Sequence, residues 1–304
     1  MLAVLCPGQG AQTPGMLAPW LELDSVAERL HALSEATEVD LVAHGTTSDA
    51  DTIRDTAIAQ PLLVATALAT GREALGSSVP GVVAGHSVGE FGAAALAGVV
   101  SDADAVSLVT VRGRAMAEAA ASAEPTSMAA VLGGDADEVA ARLAALGLTP
   151  ANVNGGGQVV AAGSKDAIDA LVAGPPARAR VIELQVAGAF HTSYMAPAVD
   201  ALASAAEGIT RQDPSVTLLS NAEGAVVTAG DDALSRLVTQ VANPVRWDLC
   251  MERLLELGVT GILEVAPGGV LTGLAKRAMR GVPSVALKTP DDLPAARELL
   301  EAHA

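Results

Sequence analysis

Short, mostly apolar runs separated by longer amphipathic ones recur along this chain, and that alternation restricts its fold more than any other feature. Leu2–Cys6, Val82–Ala84, Val216–Leu219, Gly261–Val265 and Val285–Leu287 are too short to be buried helices. Strands covered on both faces read in this way, and helices between them make the sheet mostly parallel. The spacing predicts helices over Ala59–Ala74, from Glu90, and from Asp102 to about Ala121. Pro61 is placed in the first turn of its helix, where a missing N–H costs little, and Asp102 as an N-cap. Half of the residues are hydrophobic, but only Trp20, Phe91, Phe190, Tyr194 and Trp247 are aromatic. The core is therefore expected to be built from Ala, Val and Leu.

The middle of the chain changes rhythm. Met128–Leu132, Thr149–Val153, Gln158–Ala162 and Arg180–Val186 read as strands, with helices over Ala136–Leu146 and Lys165–Val172. The order βαββαβ is the ferredoxin-like arrangement. The earlier pattern resumes after it, so residues 126–187 are expected to be a small subdomain inserted into a larger one made of 1–125 and 188–304.

Against 18 basic residues stand 35 acidic ones, a net charge of −17. Such a surface repels nucleic acid and anionic membranes. The longest charge-free stretch, Leu143–Ser164, is interrupted by Pro150 and by Gly155–Gly156–Gly157, which predicts no membrane span. Met1–Cys6 lacks the basic start of a signal peptide. Cys6 and Cys250 lie in apolar segments, which suits a reducing compartment and not a zinc site. A soluble, cytoplasmic protein is expected.

Gly85-His86-Ser87-Val88-Gly89 matches G-x-S-x-G between a strand and a helix. A serine in so tight a turn needs neighbours without a Cβ, and its hydroxyl is pushed out of the backbone. An ordinary tight turn is the alternative. The nucleophile also needs a base. His31 and His44 lie in polar helical surroundings, His303 in the terminal tail and His86 within the turn. His191 follows the last inserted strand, where the chain re-enters the larger part, and is the expected base. Two N–H groups must meet the oxyanion. Val88 offers one, and Gln9 of Gly8-Gln9-Gly10 offers the other. The glycine loop is a poor nucleotide site, because Thr13 stands where a dinucleotide fingerprint has its third glycine.

These residues in this order resemble the malonyl-CoA:acyl carrier protein transacylases of fatty acid synthesis and the acyltransferase domains of polyketide synthases. The resemblance rests on Pro-Gly-Gln-Gly at 7–10, Gln60-Pro61, Gly-His-Ser-Val-Gly-Glu at 85–90 and Val-Arg-Gly-Arg-Ala-Met at 111–116. It continues through Ala-Asn-Val-Asn at 151–154, Ala-Phe-His at 189–191 and Asn-Pro-Val-Arg-Trp at 243–247. It implies an α/β-hydrolase-like large subdomain carrying a ferredoxin-like one. It implies a ping-pong transfer of malonyl from malonyl-CoA to the phosphopantetheine thiol of acyl carrier protein, with no cofactor of the enzyme's own. It also implies that the backbone carbonyl of Gln240 orients His191, that Arg112 holds the malonyl carboxylate, and that Met116, Asn154 and Phe190 contact substrate. A monomer feeding fatty acid, or alternatively polyketide, elongation is expected.

Helix geometry singles out Arg112 over Arg114. Residues 105, 108, 109, 112, 116 and 119 share one face, otherwise Ala, Leu, Val, Met and Ala, while Arg114 lies with Ser107, Thr110 and Glu118. A guanidinium on an apolar face needs an anion, either substrate or a structural salt bridge. Two rival functions remain open. A hydrolase would need an acidic partner for His191, the candidates being Asp135, Asp137, Asp166 and Asp169; a non-catalytic carrier-protein binder would need none of the three site residues.

Overall fold

A computed structural model describes residues 1–303. Its strands are β1 (Leu2–Cys6), β2 (Val82–Gly85), β3 (Thr126–Gly133), β4 (Thr149–Gly155), β5 (Gln158–Ser164), β6 (Ala179–Glu183), β7 (Thr217–Leu219), β8 (Val226–Val227), β9 (Val245–Arg246), β10 (Gly261–Glu264) and β11 (Ser284–Ala286). They form two sheets in a mixed α/β fold.

The larger sheet has the order β11-β10-β1-β2-β7-β8, parallel except for the β7–β8 hairpin. Residues alternate between its two faces, as a pleated strand requires. Leu2, Val4, Cys6 and Val83 pack into the core that holds the helices Thr56–Leu75, Gly89–Leu96 and Asp102–Ser122. Ala3, Leu5, Val82 and Ala84 face the helices Trp247–Glu256 and Val270–Ala278.

The smaller sheet has the order β6-β3-β5-β4, antiparallel throughout, which is the order a ferredoxin-like βαββαβ unit gives. The helices Ala136–Ala145 and Lys165–Ala173 cover it through Val139, Leu143, Ile168 and Leu171. Each begins at a polar cap, Asp135 and Ser164. β9, from much later in the chain, adds a fifth strand parallel to β4, pairing Asn152 with Val245 and Val153 with Arg246. It ties the smaller sheet to a later part of the chain by a backbone ladder.

Several expected boundaries move. The helix around Pro61 starts at Thr56, because Asp55 caps it by accepting the Ala57 N–H at 2.8 Å. Pro61 therefore lies inside the helix and not in its first turn. The cap before Asp102 is Ser101, whose hydroxyl accepts the Asp104 N–H, while Asp102 pairs with Arg72 at 2.8 Å. β6 ends at Glu183, three residues early: Leu184 still donates to the Met128 carbonyl of β3 at 2.9 Å, but Gln185 and Val186 turn away, and all three line the cleft. Thr110 is buried and not on the surface: its hydroxyl donates to the Val106 carbonyl at 2.7 Å, which removes the cost of burying it.

Candidate active site

The turn after β2 is built by what its neighbours lack. Ser87 has φ 53°, the left-handed region that disfavours a side chain. A Cβ on Gly85 would lie 2.0 Å from the Gly89 carbonyl carbon, and one on Gly89 2.2 Å from the Cys6 oxygen. Only glycine at both positions lets the helix fold straight back over β1 and leaves the Ser87 hydroxyl at the head of the sheet. Asn221, in the loop after β7, clamps the turn: its Oδ1 accepts the Ser87 N–H at 2.8 Å and its Nδ2 donates to the Gly85 carbonyl at 2.8 Å.

His191 meets this hydroxyl. Its Nε2 is 2.7 Å from Ser87 Oγ, and its Nδ1 donates to the Gln240 main-chain carbonyl at 2.9 Å. That carbonyl can only accept, so the ring proton is assigned to Nδ1 and the Nε2 lone pair faces the serine. Burial, and then the Arg112 charge, push the imidazole down to about 3, so it is neutral in the free enzyme. Asp135 caps its own helix and Asp169 pairs with Lys165; no carboxylate among the described residues bonds to His191. The Ser–Asp–His arrangement of the hydrolase alternative is not formed.

Arg112 is 1% exposed and Arg114 lies on the surface, as the helix face requires. The next residue explains the approach. A Cβ on Gly113 would come within 2.7 Å of the Thr56 carbonyl, so glycine lets the two helices close until Arg112 reaches Gln60. Nη1 donates to Gln60 Oε1 at 2.6 Å and Nη2 to Gln240 Oε1 at 3.0 Å, while Nη2 stands 3.5 Å from Ser87 Oγ. Its Nε has no acceptor among the described residues. Phe91 lies under the guanidinium, 5.9 Å from its centre. Burial lowers its pKa to about 10, which leaves it a cation at neutral pH. No carboxylate among the described residues forms a salt bridge with it, so the structural ion pair is absent.

These groups open into a cleft of about 460 Å³ between the two sheets. Gln9, Met116, Asn154 and Phe190 all line it. The N–H groups of Gln9 and Val88 have no acceptor among the described residues. Gln12 braces the Gln9 loop, accepting the Gly10 N–H at 2.8 Å and donating to the Ile53 carbonyl at 3.2 Å. Asn154 bonds His86 at 2.8 Å, and His86 stands edge-on to Trp247, so Asn154 shapes the wall as well as facing the cleft. Met116 accepts from Gln60 through its sulfur at 3.5 Å. Two residues were not foreseen as part of the site. Glu90 carried a visible signal, as the last residue of Gly-His-Ser-Val-Gly-Glu; Asn221 carried only its place in a loop after a strand.

Comparison with known proteins agrees with this geometry. The acyl transferase domain family matches residues 4–291. The malonyl CoA-acyl carrier protein transacylase of Mycobacterium tuberculosis is 52% identical over 297 residues, covering 96% of this chain and 98% of that protein. The Escherichia coli protein of the same name is 38% identical, covering 98% and 99%. The crystal structure of the M. tuberculosis enzyme superposes with a TM-score of 0.94 at 51% identity, covering 98% of this chain and 99% of that one. A malonyl-transacylase solved in complex with a type II polyketide acyl-carrier protein superposes at 0.90 and 33% identity, with 98% and 99% coverage. By sequence, fold and the arrangement of its cleft, this chain belongs to the malonyl CoA-acyl carrier protein transacylase family.

Proposed function

We propose that the cleft transfers a malonyl group from malonyl-CoA to the phosphopantetheine thiol of an acyl carrier protein through a malonyl-Ser87 intermediate. The observation that carries this reading is Arg112, a buried cation without a salt bridge, 3.5 Å from the nucleophile. Ser87 Oγ attacks the thioester carbon as its proton passes to His191 Nε2. The oxyanion forms within reach of the Gln9 and Val88 N–H groups. When the C–S bond breaks, the imidazolium returns its proton to the leaving sulfur and coenzyme A departs as the thiol. The carrier thiol then attacks malonyl-Ser87, with His191 taking and returning the proton in the same way. Gln240 holds the base by its carbonyl, and Arg112 holds the free carboxylate. Mass spectrometry after mixing with malonyl-CoA should find one malonyl group, on the peptide containing Ser87. An unmodified serine would refute the mechanism.

The division into 1–125 with 188–304, and 126–187, places the cleft between the two parts, in keeping with the two sheets and with lining residues from both. We read the enzyme as a cytoplasmic monomer that uses no cofactor of its own. No helix among the described residues is long and apolar enough to cross a membrane.

Phe190 forms the cleft wall beside His191 and is 7% exposed. Its ring crowds a branch at C2 of the acyl group. Because one methyl in a pocket is worth about 10–200-fold, Phe190→Ser should narrow the preference for malonyl over methylmalonyl by a factor in that range. Competing acylation by the two thioesters measures it, and an unchanged ratio removes Phe190 from the specificity argument.

Carrier docking must overcome a net charge of −17, because carrier proteins of this class are themselves acidic. Exposed Lys276, Arg277 and Arg280 lie at the end of the helix whose Val270, Leu271 and Leu274 line the cleft mouth. Arg277 also bonds Gln158 on the opposite wall at 3.1 Å. Arg178 and Arg180 form a second exposed pair. Lys276→Glu with Arg280→Glu should raise KM for the carrier on the order of tenfold and leave acylation by malonyl-CoA unchanged. If neither this pair nor Arg178→Glu with Arg180→Glu does so, docking uses another surface.

A further inference from the structure

Behind the nucleophile turn lies a carboxylate that the transfer chemistry does not touch. Glu90 stands in the first turn of the helix Gly89–Leu96 and is 5% exposed. Its Oε1 accepts the Asn221 N–H at 2.7 Å, and its Oε2 accepts the side-chain amide of Gln240. Burial pushes this carboxyl up to about 7, while the bonds from Asn221, Gln240 and Ser220 and the charge of Arg112 oppose that rise.

Gln240 is the junction of the site. Its main-chain oxygen accepts from His191, its Nε2 donates to Glu90 and to the Ser87 carbonyl at 3.1 Å, and its Oε1 accepts from Arg112. An amide side chain can sit in two orientations that exchange oxygen and nitrogen. While it is ionised Glu90 can only accept, so it takes the NH2 end and leaves the oxygen for the guanidinium. The reverse orientation sets NH2 against Arg112, donor against donor, and frees the guanidinium from one of its two anchors.

We propose that Glu90 is a positioning residue for substrate selection, fixing the amide of Gln240 so that its oxygen holds Arg112 in place for the malonyl carboxylate. The proposal rests on the malonyl-transfer reading above. It predicts a larger loss for malonyl than for acetyl: only malonyl uses Arg112, the main-chain bond to His191 does not depend on the amide, and loss of the Gln240 bond to the Ser87 carbonyl weighs on both thioesters alike.

The test is acylation of Ser87 by malonyl-CoA and acetyl-CoA in the full-length enzyme. Glu90→Gln supplies one acceptor oxygen where two donors face it, so the Gln240 amide loses its orientation. The malonyl-to-acetyl ratio of kcat/KM is expected to fall on the order of tenfold or more, chiefly through KM for malonyl-CoA. Glu90→Asp keeps both oxygens and is expected to recover part of the ratio. Gln240→Met removes the amide but retains the carbonyl that serves His191, and is expected to give the same selective loss. The double variant should be no worse than the poorer single one, because both changes act through one amide. An unchanged or increased ratio in Glu90→Gln, equal losses for both thioesters, or multiplying losses in the double variant would each overturn the proposal. If Glu90→Gln does not fold, Gln240→Met decides, and equal losses there overturn it. A wild-type enzyme with no malonyl preference overturns the transfer reading itself and this proposal with it.

Discussion

Replacing Arg112 by alanine is expected to lower kcat/KM for malonyl-CoA by about two orders of magnitude or more, since charge-assisted hydrogen bonds contribute about 1.5–3 kcal/mol each and a guanidinium can make two. Malonyl differs from acetyl by one carboxylate, so the slow reaction of acetyl-CoA should fall far less, or rise. Arg112 already spends Nη1 on Gln60 and Nη2 on Gln240. Those bonds fix the plane of the fork and leave Nε unbonded among the described residues. Arg112→Lys should recover only part of the loss, because an ammonium cannot reproduce that fork. Acylation of Ser87 by both thioesters in the three enzymes measures the effect. Equal losses for malonyl and acetyl would show that Arg112 supports the fold and not the carboxylate.

His191→Ala is expected to slow acylation by about 10²–10⁴-fold, and to slow malonyl and acetyl alike, because the base acts on the serine proton in both. Its pH dependence has a definite sign. The imidazole is held down to about 3, so it carries no proton in the free enzyme as the pH falls through 6.5, its ordinary value. Acylation by acetyl-CoA should therefore show no acid limb from His191 near 6.5, and a limb there that persists in Glu90→Gln, where the carboxyl raised to about 7 is gone, would mean that His191 is not buried as described. Malonyl-CoA adds a further effect. A substrate carboxylate seated on Arg112 cancels the second cause of the depression, so the base strengthens when the correct acyl group is in place.

Much of this site was legible because its chemistry depends on residues that leave few alternatives. Gly85 and Gly89 are required by clashes near 2 Å, and Gly113 by the approach of its helix to Thr56, so the motifs that contain them point directly to the nucleophile and the cation. The face shared by Arg112 and Met116 follows from helix period alone. The middle segment was legible for a similar reason, since alternation and polar caps mark each of its six elements. What escaped depends on contacts between distant segments. Asn221 clamps Ser87 across 134 positions, and Glu90 reaches Gln240 across 150. Nothing local distinguishes Asn221 from an ordinary loop asparagine, and Glu90, though it closes the Gly-His-Ser-Val-Gly-Glu motif, carries no local sign of the partner it reaches. β9 was missed because it is two residues long and exists only where β4 offers an edge. Thr110 was misplaced because a helix carbonyl can satisfy a buried hydroxyl, which binary patterning does not register.

The position of β1 has a consequence for how the polypeptide is made. β1 precedes both of the strands it lies between, β2 and β10, and the second of them arrives only with Gly261–Glu264. Every group assigned to the chemistry, from Gln9 to Gln240, has been synthesised by then. A nascent chain ending just past Gln240 would carry the complete set of reacting groups beside an uncovered flank of β1 and, at β4, an edge still waiting for Val245 and Arg246. Such edges invite pairing with other chains. Closure of both sheets therefore waits for β9 and β10, and stalling before them leaves those edges open without removing any reacting atom.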